Sequence, residues 1–144
     1  MGRAAPGSAH MEITIRFANG GTVTAEDIDL IEAVRRARSI LGASKATGVS
    51  YRKCWLTVDA LNRCFETPVF ETFPGRRGGG AALTDFGARL VALYRSVERR
   101  AGNAAAPSLA ELTAALDPDY QPRATSGAAA GRVAQPRPSR WQQS

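Results

Sequence analysis

This sequence predicts a mainly α-helical domain with small β elements, a winged helix-turn-helix, and three features predict it. Two short helical stretches, at about 40–47 and 50–65, meet at a glycine, Gly48. Next comes a candidate β-hairpin with a basic, glycine-rich loop, Pro74-Gly75-Arg76-Arg77-Gly78-Gly79-Gly80. Finally, the charge is unevenly placed. Residues 1–34 carry two basic and five acidic side chains, a net of −3, and residues 35–100 carry thirteen and five, a net of +8. Residues 101–144 carry four and three, a net of +1. The excess positive charge therefore lies on the segment with the helical pair and the basic loop, where an anionic partner would be met. An arginine-rich surface of purely compositional origin is the alternative.

The elements follow in order. Residues 1–10 read as a disordered leader and 11–100 as the domain. Ile13, Ile15 and Phe17 alternate with polar residues, the pattern of a half-buried strand. Asn19-Gly20-Gly21 is a turn signal, and residues 22–24 pair back to complete an N-terminal β-hairpin. Thr24 or Ala25 opens a helix with Glu26, Asp27 and Asp29 near its positive end. Ile28, Ile31, Val34 and Ala37, with Leu30 alongside, form its apolar stripe, and Arg35, Arg36 and Arg38 make its end basic. Ser39 is a cap for the next helix, and Gly48 allows the sharp turn between helices. Ser50 caps the third helix, which turns Cys54, Val58, Leu61 and Phe65 inward. Tyr51, Arg52, Lys53 and Thr57 are left outward near its start, the end that approaches a phosphate or a base edge.

Residues 68–73 and 81–83 read as the two strands of a wing carrying Arg76 and Arg77. The glycines could also suggest a nucleotide cradle. However, a Walker loop needs Lys-Ser or Lys-Thr after its last glycine, and Ala81-Ala82 follows here. Thr84 caps a helix over 84–100, where Phe86, Leu90, Leu93, Tyr94 and Val97 repeat at three and four. That seam predicts dimerisation, the alternative being a helix that packs back on the first one. Residues 101–144 read as an Ala/Pro-rich tail, disordered except for a short helix near 109–116 that starts at a Ser108/Glu111 capping box.

Several function classes are disfavoured. The chain has one histidine, no nucleophile placed beside a base, and no paired carboxylates at a pocket-like spacing, so no enzyme chemistry, metal or cofactor is expected. Cys54 and Cys64, ten residues apart on one helix, stand about 15 Å apart along its axis, too far for a disulfide. They read as free thiols. No apolar run approaches the ~18–20 residues that span a bilayer, and no secretory signal opens the chain. A cytoplasmic protein without a membrane partner is the expectation.

The segment Ser50-Tyr51-Arg52-Lys53-Cys54-Trp55, then Leu61-Asn62-Arg63, Gly78-Gly79-Gly80-Ala81, Leu83-Thr84, Gly87 and Leu93-Tyr94, resembles the DNA-binding domain of the ModE family. These are molybdate-responsive regulators whose N-terminal half is a LysR-like winged helix. The resemblance covers about 12–100. It implies a homodimer on double-stranded DNA at a palindromic operator, with the third helix in the major groove. It carries DNA contact onto Ser50, Tyr51, Arg52 and Lys53, wing contact onto Arg76, Arg77 and Gly78, and dimer contact onto the helix bearing Leu90 and Tyr94. Nothing after Arg100 resembles the family's molybdate-binding domains, so molybdate sensing does not carry over. Gly42, Ser44 and Thr47 stand where the family more often has alanine or leucine, and an interior glycine costs about 1 kcal/mol against alanine.

From the residues themselves, Arg52 is the candidate for base contact, because a guanidinium offers two donors to a guanine edge. Lys45, Lys53, Arg76 and Arg77 are candidates for phosphates. Trp55 reads as core rather than as a flank to DNA, since an indole is usually mostly buried. The function expected is transcriptional regulation by sequence-specific DNA binding. A winged helix that docks on a separate effector-binding protein is the alternative, kept open by Tyr51 and Leu56.

Overall fold

The computed structural model describes residues 9–73 and 80–123, and it is a winged helix-turn-helix. Strands β1 (Ile15–Arg16) and β2 (Thr22–Val23) form the N-terminal hairpin. Its turn uses Gly20 at φ 87° and the Asn19 side chain, whose Oδ1 accepts from the Gly21 N–H at 2.9 Å. The Asn19 amide also donates to the Cys64 carbonyl at 2.9 Å, which ties the hairpin to the end of the third helix.

Helix α1 (Ala25–Ala37) starts at a reciprocal cap. Thr24 Oγ1 accepts from the Asp27 N–H at 3.1 Å, and the Asp27 carboxylate accepts from the Thr24 N–H at 2.9 Å. Its buried seam is Ile28, Leu30, Ile31, Ala33 and Val34. Ala37, expected in that stripe, is exposed because the helix ends there. Arg38 follows in the left-handed region at φ 57° and donates its N–H to the Val34 carbonyl at 2.7 Å.

Helix α2 (Ile40–Thr47) is capped by Ser39 and closed by Gly48 at φ 74°. Gly42 proves to be a packing requirement. A Cβ there would stand 2.8 Å from both the Ala37 Cβ and the capping Ser39 Oγ, so the propensity lost by glycine answers a close approach. The turn into helix α3 (Tyr51–Cys64) is braced by Ser44 Oγ, which donates to the Val49 carbonyl at 2.6 Å. Helix α3 buries Cys54, Val58 and Leu61, with Phe65 beyond its end. Phe65 packs between Phe17 and Phe86, at ring centroids of 5.6 and 5.1 Å.

Strands β3 (Phe70–Phe73) and β4 (Gly80–Leu83) pair antiparallel, from Phe70 opposite Leu83 to Phe73 opposite Gly80. The tip of this wing, with Arg76, Arg77 and Gly78, lies outside the described residues. Helix α4 (Asp85–Ala114) corrects two expectations at once. It was expected to end by Arg100 and to be followed by a separate helix at 109–116. It instead runs unbroken to Ala114, with Pro107 inside it and the expected Ser108/Glu111 cap within the helix. Ala101, Ala104, Ala105 and Ala106 carry the helix past residue 100, since alanine is the strongest helix former. Pro107 costs one backbone bond there without ending the helix. Residues 115–123 form a separate unit with a turn at Asp117, whose carboxylate accepts from the Asp119 N–H at 2.9 Å.

Helix α4 is fastened to the body in two ways. The Tyr94 hydroxyl donates to the Ile13 carbonyl at 2.5 Å. Arg95 reaches Glu32 at 2.9 Å, Glu98 at 2.8 Å and Asp29 at 3.6 Å. Burial alone would lower the Arg95 pKa, but hydrogen bonds to Glu98 and Glu32 outweigh it and hold the pKa above its ordinary value.

Candidate nucleic-acid interface

Helix α3 is amphipathic, and its exposed side is the candidate interface. At 3.6 residues per turn, Arg52, Leu56, Asp59 and Arg63 fall opposite the buried seam of Cys54, Val58 and Leu61. All four are exposed, Leu56 to 58%. Asp59 and Arg63 pair with each other at 3.1 Å, so the far half of this face presents little net charge. The near half keeps Arg52 and, beside it, an exposed leucine.

The start of α3 suits an anion. Ser50 Oγ accepts from the Lys53 N–H at 3.1 Å and the Ser50 carbonyl from the Cys54 N–H at 3.0 Å, which leaves the Tyr51 and Arg52 N–H groups of the first turn without a partner among the described residues. No acidic residue lies in that first turn. Helix α1, by contrast, has Glu26 and Asp27 in its first turn. The positive end of the α3 dipole is thus uncompensated, whereas that of α1 is compensated.

The side chains expected together do not all meet. Tyr51 and Trp55 lie on the flank of α3 that also carries Asn62, within about 40° around the axis, with rings edge to face at 6.4 Å. Trp55 is 36% exposed, not core. It lies about one turn earlier than the buried Val58 and is rotated around α3 toward the Asn62 flank. Lys53 and Thr57 lie on the opposite flank, lining a groove of about 420 Å³ with Glu26, Asp27 and Asp29. Thr57 Oγ1 is already engaged, donating to the Lys53 carbonyl at 2.9 Å. These two are therefore separated from Arg52 and face carboxylates. Lys45 is exposed on the last turn of α2.

The wing's position is set by α3 itself. Asn62 Oδ1 accepts from the N–H groups of Val69 and Phe70, both at 2.9 Å, and its amide donates to the Phe70 carbonyl at 3.2 Å. Thr84 Oγ1 donates to the Pro68 carbonyl at 2.6 Å and accepts from the Gly87 N–H at 3.0 Å, capping α4 against the same strand. Gly87 fits only without a Cβ, which would fall 2.4 Å from the Val69 carbonyl oxygen. Asn62 and Leu56 were missed as parts of the site. A polar residue on a half-buried helix flank gives no sign in sequence of which strand it will hold.

The seam assigned to dimerisation divides in two. Tyr94 is 1% and Leu90 8% exposed, and Phe86 packs against Phe65, so these three serve the chain's own core. Leu93 and Val97 are exposed, at 47% and 41%. Among the described residues no group of metal-ligating side chains gathers, and no helix is long and apolar enough to cross a membrane.

No family model matches the chain. Among curated proteins it is similar to the molybdenum transport protein ModE of Azotobacter vinelandii, 43% identical over 72 residues, 49% of this chain and 27% of that one. It is similar to the molybdenum-pterin-binding protein MopB of Rhodobacter capsulatus, 39% identical over 100 residues, 69% of this chain and 36% of that one. The DNA-binding transcriptional dual regulator ModE of Escherichia coli is 35% identical over 68 residues, 46% of this chain and 26% of that one. The chain thus spans about a quarter to a third of the length of these relatives. With a winged helix-turn-helix whose third helix presents Ser50-Tyr51-Arg52-Lys53, and with these matches, the chain is similar to ModE-type proteins over the region they cover.

Proposed function

We propose that this chain regulates transcription by binding double-stranded DNA in a sequence-specific way, with α3 in the major groove and the wing beside it. The observation that carries the reading is the start of α3: an uncompensated helix N-terminus with Arg52 and Leu56 exposed on one face. Arg52 would read a guanine edge, and Leu56 would meet a thymine methyl group. Tyr51 and Ser50 would contact the sugar-phosphate wall, and Lys45 a phosphate. Arg76, Arg77 and Gly78 would make the wing's contact. Lys53 and Thr57 have a weaker part in this reading, because the carboxylates of Glu26, Asp27 and Asp29 share their groove. The relatives, which include a DNA-binding transcriptional regulator and proteins named for molybdenum transport and molybdenum-pterin binding, support a target connected with molybdenum.

A homodimer on a palindromic operator completes the reading. Leu93 and Val97, one turn apart on α4, are an exposed apolar pair that could meet a second copy. Selection of bound fragments from genomic DNA, followed by gel shifts at several salt concentrations, tests the whole. One enriched sequence with two-fold symmetry, and steep loss of affinity with salt, are expected. Failure to bind any duplex at low salt would leave the winged helix as a protein-docking module.

A further inference from the structure

The corner between α1 and α2 is a charged surface that the reading above does not use. Arg35, Arg36 and Arg38 are all exposed there, and none forms a salt bridge among the described residues. Arg35 and Arg36 already place positive charge at the negative end of the α1 dipole, so Arg38 is surplus to that purpose. Its backbone makes the surplus more telling. Arg38 is the one non-glycine residue at positive φ among the described residues, at a helix-closing position where glycine or asparagine is the least strained choice. The Arg38 side chain has no hydrogen bond or ion pair among the described residues, so its charge is available to a partner.

The corner is also aimed by the wing. The Arg38 carbonyl accepts from the Ala81 N–H at 3.0 Å, and a Cβ on Gly80 would lie 3.6 Å from the same oxygen. Gly80 and Ala81 belong to the end of the hairpin away from α4. The wing is therefore held on two sides, by Asn62 of α3 and by Arg38 of this corner. Eight residues of α2, about 12 Å of helix, separate the corner from the turn that opens α3. The major groove is about 12 Å wide. With the start of α3 in the groove, that length would let the corner reach a strand that borders it.

We propose that Arg38, backed by Arg35 and Arg36, is a second contact to the DNA sugar-phosphate backbone, one that sets the tilt of the domain on the duplex. It is a positioning contact, and it rests on the DNA-binding reading above. The full chain, on its selected operator and on a scrambled duplex, is titrated with salt as wild type and as Arg38→Asn. Asparagine keeps the left-handed backbone and removes the charge. Arg38→Lys returns the charge, Arg35→Gln/Arg36→Gln probes the support, and Arg100→Gln controls for net charge alone.

Arg38→Asn is expected to weaken both duplexes alike and to lower the slope of log affinity against log salt by about 1. It should also erase interference from ethylation of one phosphate per half-site, which a merely structural role would not do. Arg38→Lys should restore most of the affinity. An unchanged slope and ethylation pattern in Arg38→Asn overturns the proposal, as does an equal effect from Arg100→Gln. Wild type that binds no duplex would instead overturn the underlying reading.

Discussion

Trp55 separates composition from position at the scale of single residues. Its size argues for the core, yet helical phase puts it on the exposed flank of α3 beside Tyr51, and phase prevails. Trp55→Ala is therefore expected to change stability by less than ~1 kcal/mol, where a core aromatic costs ~3–5; thermal unfolding decides. Tyr94 is the converse case, an aromatic read as a dimer contact that is buried and bonded to the Ile13 carbonyl. Burial and the nearby Glu98 charge raise its pKa above the ordinary 10.0. Above pH 10 the unfolded chain loses this proton first, so the tyrosine's share of stability is present below that pH and lost as pH rises through the folded value. Tyr94→Phe should flatten the fall of stability with alkaline pH in chemical denaturation, at the expense of about 1 kcal/mol at neutral pH.

At the scale of elements, most of the architecture was legible in the sequence because its signals are local. Thr24, Ser39, Ser50 and Thr84 each accept a hydrogen bond from a first-turn N–H, and Gly48 takes the positive φ expected of it. The continuation of α4 through Pro107 was not legible, since proline and a capping pair 108/111 are ordinary signs of a new helix. Nor was the wing's anchorage, a side-chain match between residues 62 and 69–70 that has no periodicity. Asn62→Ala is expected to leave two strand N–H groups without a partner and to cost about 2–4 kcal/mol. Faster hydrogen exchange at Val69 and Phe70 than elsewhere in the variant would locate the loss in the wing. Uniform exchange would deny the anchor.

At the scale of the whole molecule, charge and apolar surface are sorted by place. Acid gathers at the start of α1, where Asp29 also joins Glu32 and Glu98 around Arg95, and base gathers at the α1–α2 corner and the start of α3. The sign of each segment was readable from composition. Which cations remain for a partner was not, because Arg95 is sunk among carboxylates and Arg63 is paired with Asp59. The outer face of α4 bears Leu93 and Val97, and Val97→Glu is expected to shift the protein to monomer in analytical ultracentrifugation without unfolding it. A variant as dimeric as wild type would remove these two residues from the proposed contact.

Binding of wild type and Arg52→Ala to the selected operator and to a scrambled duplex, at matched salt, tests the central claim most directly. The substitution should cost about 1–3 kcal/mol on the operator and leave the scrambled duplex nearly untouched. Equal weakening on both duplexes, or no weakening on either, would contradict the assignment of the start of α3 as the reading surface.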